Sequence, residues 1–201
     1  MVPLNTAAPA AFPHHGEMAA IDRTQPFLSD IKEIRRRARQ HIEQGAVTDS
    51  YKADLQTVLR VLNEALATEL VCVLRYKRHQ FMAYGLNAQS VADEFKAHAA
   101  EEQTHADQIA ERITQLGGEP NFNPEGLQMR SHSEYKEGGS LVEMIKEDLV
   151  AERIAIETYS EMIRYFADND PTTRRLMEEI LAKEEEHADD MRVLIQNLEK
   201  K

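Results

Sequence analysis

With Cys72 as its one cysteine, the 201-residue chain has no means of building an internal disulfide framework or a cysteine-rich metal site, which fits a reducing compartment. A lone thiol of this kind reads as a small buried hydrophobe. There is no tryptophan, and glycine and proline number only eight and seven, while Ala, Leu, Glu, Lys and Arg abound, so helix is favoured over sheet. No apolar run reaches membrane-spanning length. The opening MVPLNTAAPAAFPHHGEM has neither a positive n-region nor a sustained apolar run, so it is not read as a signal peptide and a cytoplasmic location is expected. Positive charge is also scarce: 24 Lys and Arg against 35 Asp and Glu leave a formal charge of −11. That balance argues against a nucleic-acid partner and favours attraction of cations, although a solvated acidic surface is its plainest consequence.

What is present is organised in three parts. Residues 1–26, with Pro3, Pro9, Pro13 and Pro26 among alanines and polar residues, are predicted to form a flexible arm, whose His14 and His15 offer no more than adventitious metal binding. Residues 27–50 carry a short helix and linker. The helix is predicted over DIKEIRRRARQHIEQ, capped by Ser29 and ended by Gly45, with Asp49 or Ser50 capping the helix that follows. Lys32, Arg35, Arg36, Arg37 and Arg39 on it could face phosphate or an acidic partner, as in a non-enzymatic interaction protein built on a helical bundle. A Glu33–Arg37 pair at i,i+4 makes the same segment an ordinary solvated helix.

Residues 51–201 hold four long amphipathic segments, at roughly 51–84, 88–116, 140–168 and 171–199. Short turns join the first to the second and the third to the fourth, as in antiparallel hairpins. More than twenty residues, GGEPNFNPEGLQMRSHSEYKEGGS, separate the hairpins. A connection of that length can run along a helix, so the third segment can start at the same end of the bundle as the second. The fold expected is an all-α four-helix bundle of two antiparallel hairpins with one long crossover, plus an extra N-terminal helix.

Ionisable residues interrupt the apolar stripes. In the first segment Leu55, Leu59, Leu62, Leu66 and Val73 surround Glu69; in the third, Leu141, Ile145, Leu149, Ile156 and Ile163 surround Glu152. The second places Glu102 and His105 between Val91, Phe95, Ile109 and Leu116. The fourth places Glu184 and His187 among Leu176, Ile180, Met191, Leu194 and Leu198. Six ionisable groups thus face one interior, where an unpaired carboxylate costs several kcal/mol. Buried Arg or Lys could compensate, but the stripes carry few cations and Arg112 merely borders the second. A pair of divalent metal ions compensates, since four carboxylates and two imidazoles fill most of two ligand shells and neutralise much of the cation charge: a Glu from each of two helices and a Glu-x-x-His from each of the other two is the ligand set of di-iron and di-manganese carboxylate bundles.

The hairpins also repeat each other, since Glu152 follows Glu69 by 83 positions, while Glu184 follows Glu102 and His187 follows His105 by 82. Tyr76 and Tyr159 stand seven residues after Glu69 and Glu152, and because helical side chains lean toward the N-terminus each hydroxyl could reach back to a carboxylate. A core tyrosine with an ordinary partner is the alternative. His98, one turn before Glu102 with Glu101 nearby, is either a satisfied core histidine or a residue supporting the site or cation entry.

Over most of residues 52–195 the sequence resembles bacterioferritin, a ferritin-like di-iron carboxylate family. LNEALATELVCVLRY is similar to that family's first ligand helix, EEQTHADQIAERITQLGGEPN to its second, EDLVAER to its third and ILAKEEEHADDM to its fourth. The resemblance implies that Glu102 and Glu184 bridge two metal ions, that Glu69 and Glu152 are terminal carboxylates, that His105 and His187 each cap one metal, and that Tyr76 is the nearby tyrosine. Three departures stand out. Gln103 occupies the position of the family's haem-ligating methionine, so haem is not expected; no fifth helix follows the fourth; and the N-terminal extension has no counterpart.

The activity implied is that of a ferroxidase acting on Fe(II), with dioxygen or hydrogen peroxide taking one electron from each of two ions, for iron storage or detoxification. Glutamate suits this as a hard ligand able to change its binding mode. A di-iron peroxidase or a manganese catalase uses a related set, so Mn is the alternative metal. A hollow homo-oligomer built on two-fold dimers is expected. Without the fifth helix that lines the four-fold axes of twenty-four-subunit cages, a dodecamer is slightly favoured.

Overall fold

A computed structural model describes residues 30–85 and 88–199. The arm expected over residues 1–26 and the capping residue Ser29 lie outside the described residues. Helices α1 (Ile31–Arg37), α2 (Leu55–Met82), α3 (Ala88–Gln115), α4 (Leu127–Arg130), α5 (Leu141–Phe166) and α6 (Pro171–Glu199) carry the chain, with a 3₁₀ turn at Ile42–Gln44 and no strand among the described residues. None of these helices is long and apolar enough to cross a membrane.

The N-terminal helix is shorter than expected. Asp30 caps α1 by accepting from the Lys32 N–H at 2.8 Å, and the helix stops at Arg37 instead of continuing to Gly45. His41 in left-handed geometry (φ 49°) and Gly45 (φ 59°) bracket the 3₁₀ turn that replaces its second half. The basic run is paired on its own surface: Arg36 donates twice to Glu33 at 2.8 Å, and Arg37 lies 3.6 Å from Glu33.

Three of the four long helices, α2, α5 and α6, start where a side chain satisfies their first N–H groups. Asp54, not Asp49 or Ser50, caps α2 by accepting from the Thr57 N–H at 3.0 Å. Ser140 caps α5 through the Glu143 N–H at 3.2 Å, while the Glu143 carboxylate reaches back to the Gly139 N–H at 2.8 Å, close to a capping box. Asp170 caps α6, with Pro171 at the first helical position, where no N–H is needed. The same carboxylate takes bonds from Arg112 of α3 at 3.0 Å and from Tyr51 at 2.9 Å, tying the cap to two other parts of the chain. At the end of α3, Gly117 adopts φ 76° and the Gly118 N–H returns to the Ile113 carbonyl at 2.9 Å.

The crossover runs along α2 in the direction of that helix. Asn63 accepts from the Asn121 N–H at 2.7 Å, Thr68 from the His132 N–H at 2.9 Å, Arg75 donates to the Glu134 carbonyl at 2.9 Å and Arg78 to the Glu137 carbonyl at 2.7 Å. The chain therefore arrives at the α2 C-terminal end, and α5 starts where α3 starts. Two hairpins, α2–α3 and α5–α6, pack face to face as expected.

The core is split in two. Val58, Leu62, Leu66, Ile109, Ile113, Tyr159, Phe166, Met177 and Ile180 fill one half; Tyr76, Val91, Phe95, Met144, Ile145 and Met191 fill the other. Between them lies a layer of buried polar side chains, so apolar packing closes the bundle above and below the place where all four helices present charge.

Candidate metal centre

Each long helix contributes to that layer at one level: Glu69 from α2, Glu102 and His105 from α3, Glu152 from α5, Glu184 and His187 from α6. All six are buried. The Glu-x-x-His spacing of α3 and α6 puts carboxylate and imidazole on one face, one turn apart. His105 Nδ1 lies 3.0 Å from Glu184, 3.4 Å from Glu102 and 3.6 Å from Glu69. His187 Nδ1 lies 3.3 Å from Glu102, 3.7 Å from Glu184 and 3.8 Å from Glu152. Each imidazole nitrogen therefore faces three carboxylates, and the two arrangements are related as the two hairpins are.

These donors form two groups, Glu69, Glu102, His105 and Glu184, and Glu102, Glu152, Glu184 and His187, in each of which one donor atom per residue lies within 4.8 Å of the others. Glu102 and Glu184 belong to both. Glu69 Oε2, Glu102 Oε1, His105 Nδ1, Glu152 Oε2, Glu184 Oε1 and His187 Nδ1 are buried and have no hydrogen-bond partner, because the separations or the angles between them do not suit one. Leaving a polar group so costs about 1–3 kcal/mol. Six such atoms on six neighbouring residues are a site whose electrostatics lack a positive charge, and this donor set fits two divalent cations.

The titration behaviour agrees in sign. Burial, then the Glu102 charge, holds Glu69 well above the ordinary carboxylate range. Burial, then Glu69 and Glu152, pushes Glu184 up to about 8. For Glu152 burial acts upward too, but His187, Glu184 and Tyr76 around it together outweigh it and take the carboxyl down to about 2. Burial works against protonation of His105, yet Glu102, Glu184 and Glu69 around it raise it to about 12; His187 is raised in the same way by Glu102, Glu152 and Glu184. Protons are the positive charge that this layer recruits for itself.

A family model for the ferritin-like domain matches residues 59–201. The bacterioferritin of Desulfovibrio desulfuricans is 33% identical over 132 residues, covering 65% of this chain and 69% of that protein. The chain belongs to the ferritin-like family. Its structure is similar to that of a dodecameric thioferritin, the bacterioferritin-related protein of Bacteroides fragilis, with a TM-score of 0.71 and 30% identity over 74% of this chain and 90% of that one. It is similar too to a D. desulfuricans bacterioferritin structure with its diiron site in different catalytic states, with a TM-score of 0.65 and 28% identity over 73% of this chain and 82% of that one.

In this ferritin-like chain the tyrosines reach the layer from opposite sides, each crossing to the other hairpin. Tyr76 donates to Glu152 Oε1 and Tyr159 to Glu69 Oε1, both buried. Neither binds the glutamate seven residues before it on its own helix. Burial, followed by the facing glutamate, raises both phenols, so they stay protonated as donors. Glu101 accepts from His187 Nε2 at 3.0 Å, which turns the other ring nitrogen toward the carboxylates. Gln103 faces away and donates to Asp107 at 2.9 Å.

One buried ionic group escaped the sequence reading. Arg75, fully buried on α2, donates to Asp148 of α5 at 2.8 Å, and His79 contacts the other Asp148 oxygen at 2.8 Å. Arg75 is thus a core cation, but it is committed to Asp148 and leaves the six-residue layer uncompensated. Its position at i,i+4 from His79 on the buried face was the available signal. Thr104, His105, Gln108, Glu101, Glu179 and Lys183 line a surface cavity of about 340 Å³ between α3 and α6, which brings solvent to the edge of the layer.

Proposed function

We propose that the chain is a ferroxidase that binds two Fe(II) ions as substrate at Glu69, Glu102, His105, Glu152, Glu184 and His187 and oxidises them with dioxygen or hydrogen peroxide, for iron storage or detoxification. One observation carries the reading: six buried donors, each with an unpartnered atom, meet in the centre of a ferritin-like bundle. Bound iron supplies the electrons, one from each ion. Glu102 and Glu184, common to both donor groups, are the bridging carboxylates; Glu69 with His105 serves one ion and Glu152 with His187 the other. Tyr159 and Tyr76 occupy Oε1 of Glu69 and Glu152, leaving Oε2 of each as the ligand atom. Glu101 keeps a proton on His187 Nε2, so the Nδ1 lone pair faces the ion. The apolar halves of the core fix these side chains and exclude bulk water.

The test is aerobic addition of Fe(II) to metal-free protein, followed by Fe(III) absorbance, with Glu102→Ala alongside. Rapid oxidation that the variant loses supports the ferroxidase; equal rates for both sink it. Steady oxygen evolution from hydrogen peroxide by the Mn(II)-loaded protein, without iron, would replace it with a manganese catalase.

A closed homo-oligomer built on two-fold dimers accompanies this function, with twelve subunits ahead of a larger cage. The similarity to a protein described as a dodecameric thioferritin supports that size. Light scattering on the eluting protein tests it, and a monomer would refute it.

A further inference from the structure

His98 of α3 stands outside the six-residue layer but against it, its ring stacked on that of His187 with centroids 4.0 Å apart and planes 20° apart. Its protonation pattern follows from its neighbour. Tyr76 points its hydroxyl hydrogen at Glu152 as a donor, so the hydroxyl oxygen is left to accept, and His98 Nδ1 lies 3.2 Å from it. Nδ1 then carries the ring proton and Nε2 the lone pair. Nε2 lies 3.3 Å from Glu94 Oε1 and 3.6 Å from Asp190 Oδ2, both of them acceptors. Three lone-pair atoms therefore converge, two from an i,i+4 pair on α3 and one from α6, with no hydrogen among them to share.

We propose that Glu94, His98 and Asp190 bind a third divalent transition-metal cation, distinct from the pair held by the six-residue centre. One imidazole and two carboxylates form a borderline N/O set that suits Fe(II), Mn(II), Co(II) or Zn(II) better than Mg²⁺ or Ca²⁺, which take oxygen donors. The donor atoms lie within 4.8 Å of one another, a span one ion can bridge. The imidazole is 3% exposed whereas the Glu94 and Asp190 side chains are 38% and 45% exposed, so the nitrogen is fixed by packing while the carboxylates are open to an ion arriving from solvent. Water completes the shell on that open side. None of the three residues belongs to the six, so this site can fail while the ferroxidase reading stands, and the reverse.

Co(II) titration of metal-free protein tests the assignment, read by visible absorption and calorimetry. Wild type is expected to bind three Co(II) per chain. The double variant Glu94→Gln, Asp190→Asn, at half-exposed positions where amides leave the packing intact, is expected to bind two with unchanged affinity. Glu102→Ala with Glu184→Ala is expected to keep the ion at His98. In Co(II)-soaked crystals of the wild type an anomalous peak is expected between Glu94, His98 and Asp190. A wild type that saturates at two ions without that peak overturns the proposal, as does a double variant that still binds three.

Discussion

Glu184→Gln should make the metal-free protein more stable while abolishing paired metal binding, a combination that a purely structural glutamate cannot produce. Glu184 is buried beside Glu69 and Glu152, and its pKa is pushed from the ordinary 4.5 to about 8. The sign follows from linkage: a carboxyl whose folded pKa is raised destabilises the folded state nowhere below pH 4.5, increasingly between pH 4.5 and about 8, and constantly above that. At pH 7 the unfolded chain gains from ionisation over 2.5 pH units, about 3 kcal/mol, that the folded chain forgoes. Glutamine removes that difference, and after the cost of its own incompletely bonded amide the net gain is about 2 kcal/mol. With a urea m-value of about 2 kcal/mol/M, the unfolding midpoint should rise by about 1 M at pH 7 in chelator and hardly change at pH 4.5. Co(II) protection should follow the opposite order, with wild type gaining stability from the ion and the variant gaining less. A variant less stable than wild type at pH 7, or equally stabilised at both pH values, would refute the argument that this layer is short of positive charge.

Asp148→Ala should cost about 3–5 kcal/mol, because it strands the buried Arg75 guanidinium, whereas Arg75→Met with Asp148→Leu should come close to wild type in thermal melts. Asp170→Ala should cost about 3 kcal/mol or more, since it removes the α6 cap and also strands the buried Arg112 guanidinium. The hydrogen bonds from Thr173 overcome the effect of burial and hold Asp170 below its ordinary 3.8, so this contribution is complete above pH 4 and fades as the pH falls through the lower folded value, which melts across pH 2–6 would show. Co(II) binding at pH 7 should release protons, since His105 and His187 are both raised by the carboxylates around them and must lose them to bind; calorimetry in buffers of different ionisation enthalpy counts them, and a count of zero would contradict the raised imidazoles.

Local pattern carried much of the design. The periodicity of 3.6 and the position of Glu69, Glu102, His105, Glu152, Glu184 and His187 on apolar stripes were readable because a helix turns sequence spacing directly into facing. The length of the crossover and the 82–83-residue offset between hairpins made the topology readable as well. The direction of Tyr76 and Tyr159, toward the N-terminus of their own helices, was also local. Their partners were not: α2 and α5 run antiparallel, so each tyrosine, leaning toward the layer, meets the glutamate of the opposite helix before that of its own. Seven residues along one helix are about 10 Å of rise, more than packing between helices leaves across the interface. The i,i+4 spacing of Arg75 and His79 is local, but their meeting with Asp148 lies beyond sequence for the same reason, as Asp148 is 73 and 69 positions from them. The convergence of His98 with Asp190 likewise exists only once α3 and α6 pack. Sequence determined which faces each helix buries, by a period set within one helix; tertiary structure decided which charges meet, because that depends on the rotation and direction of two helices at once.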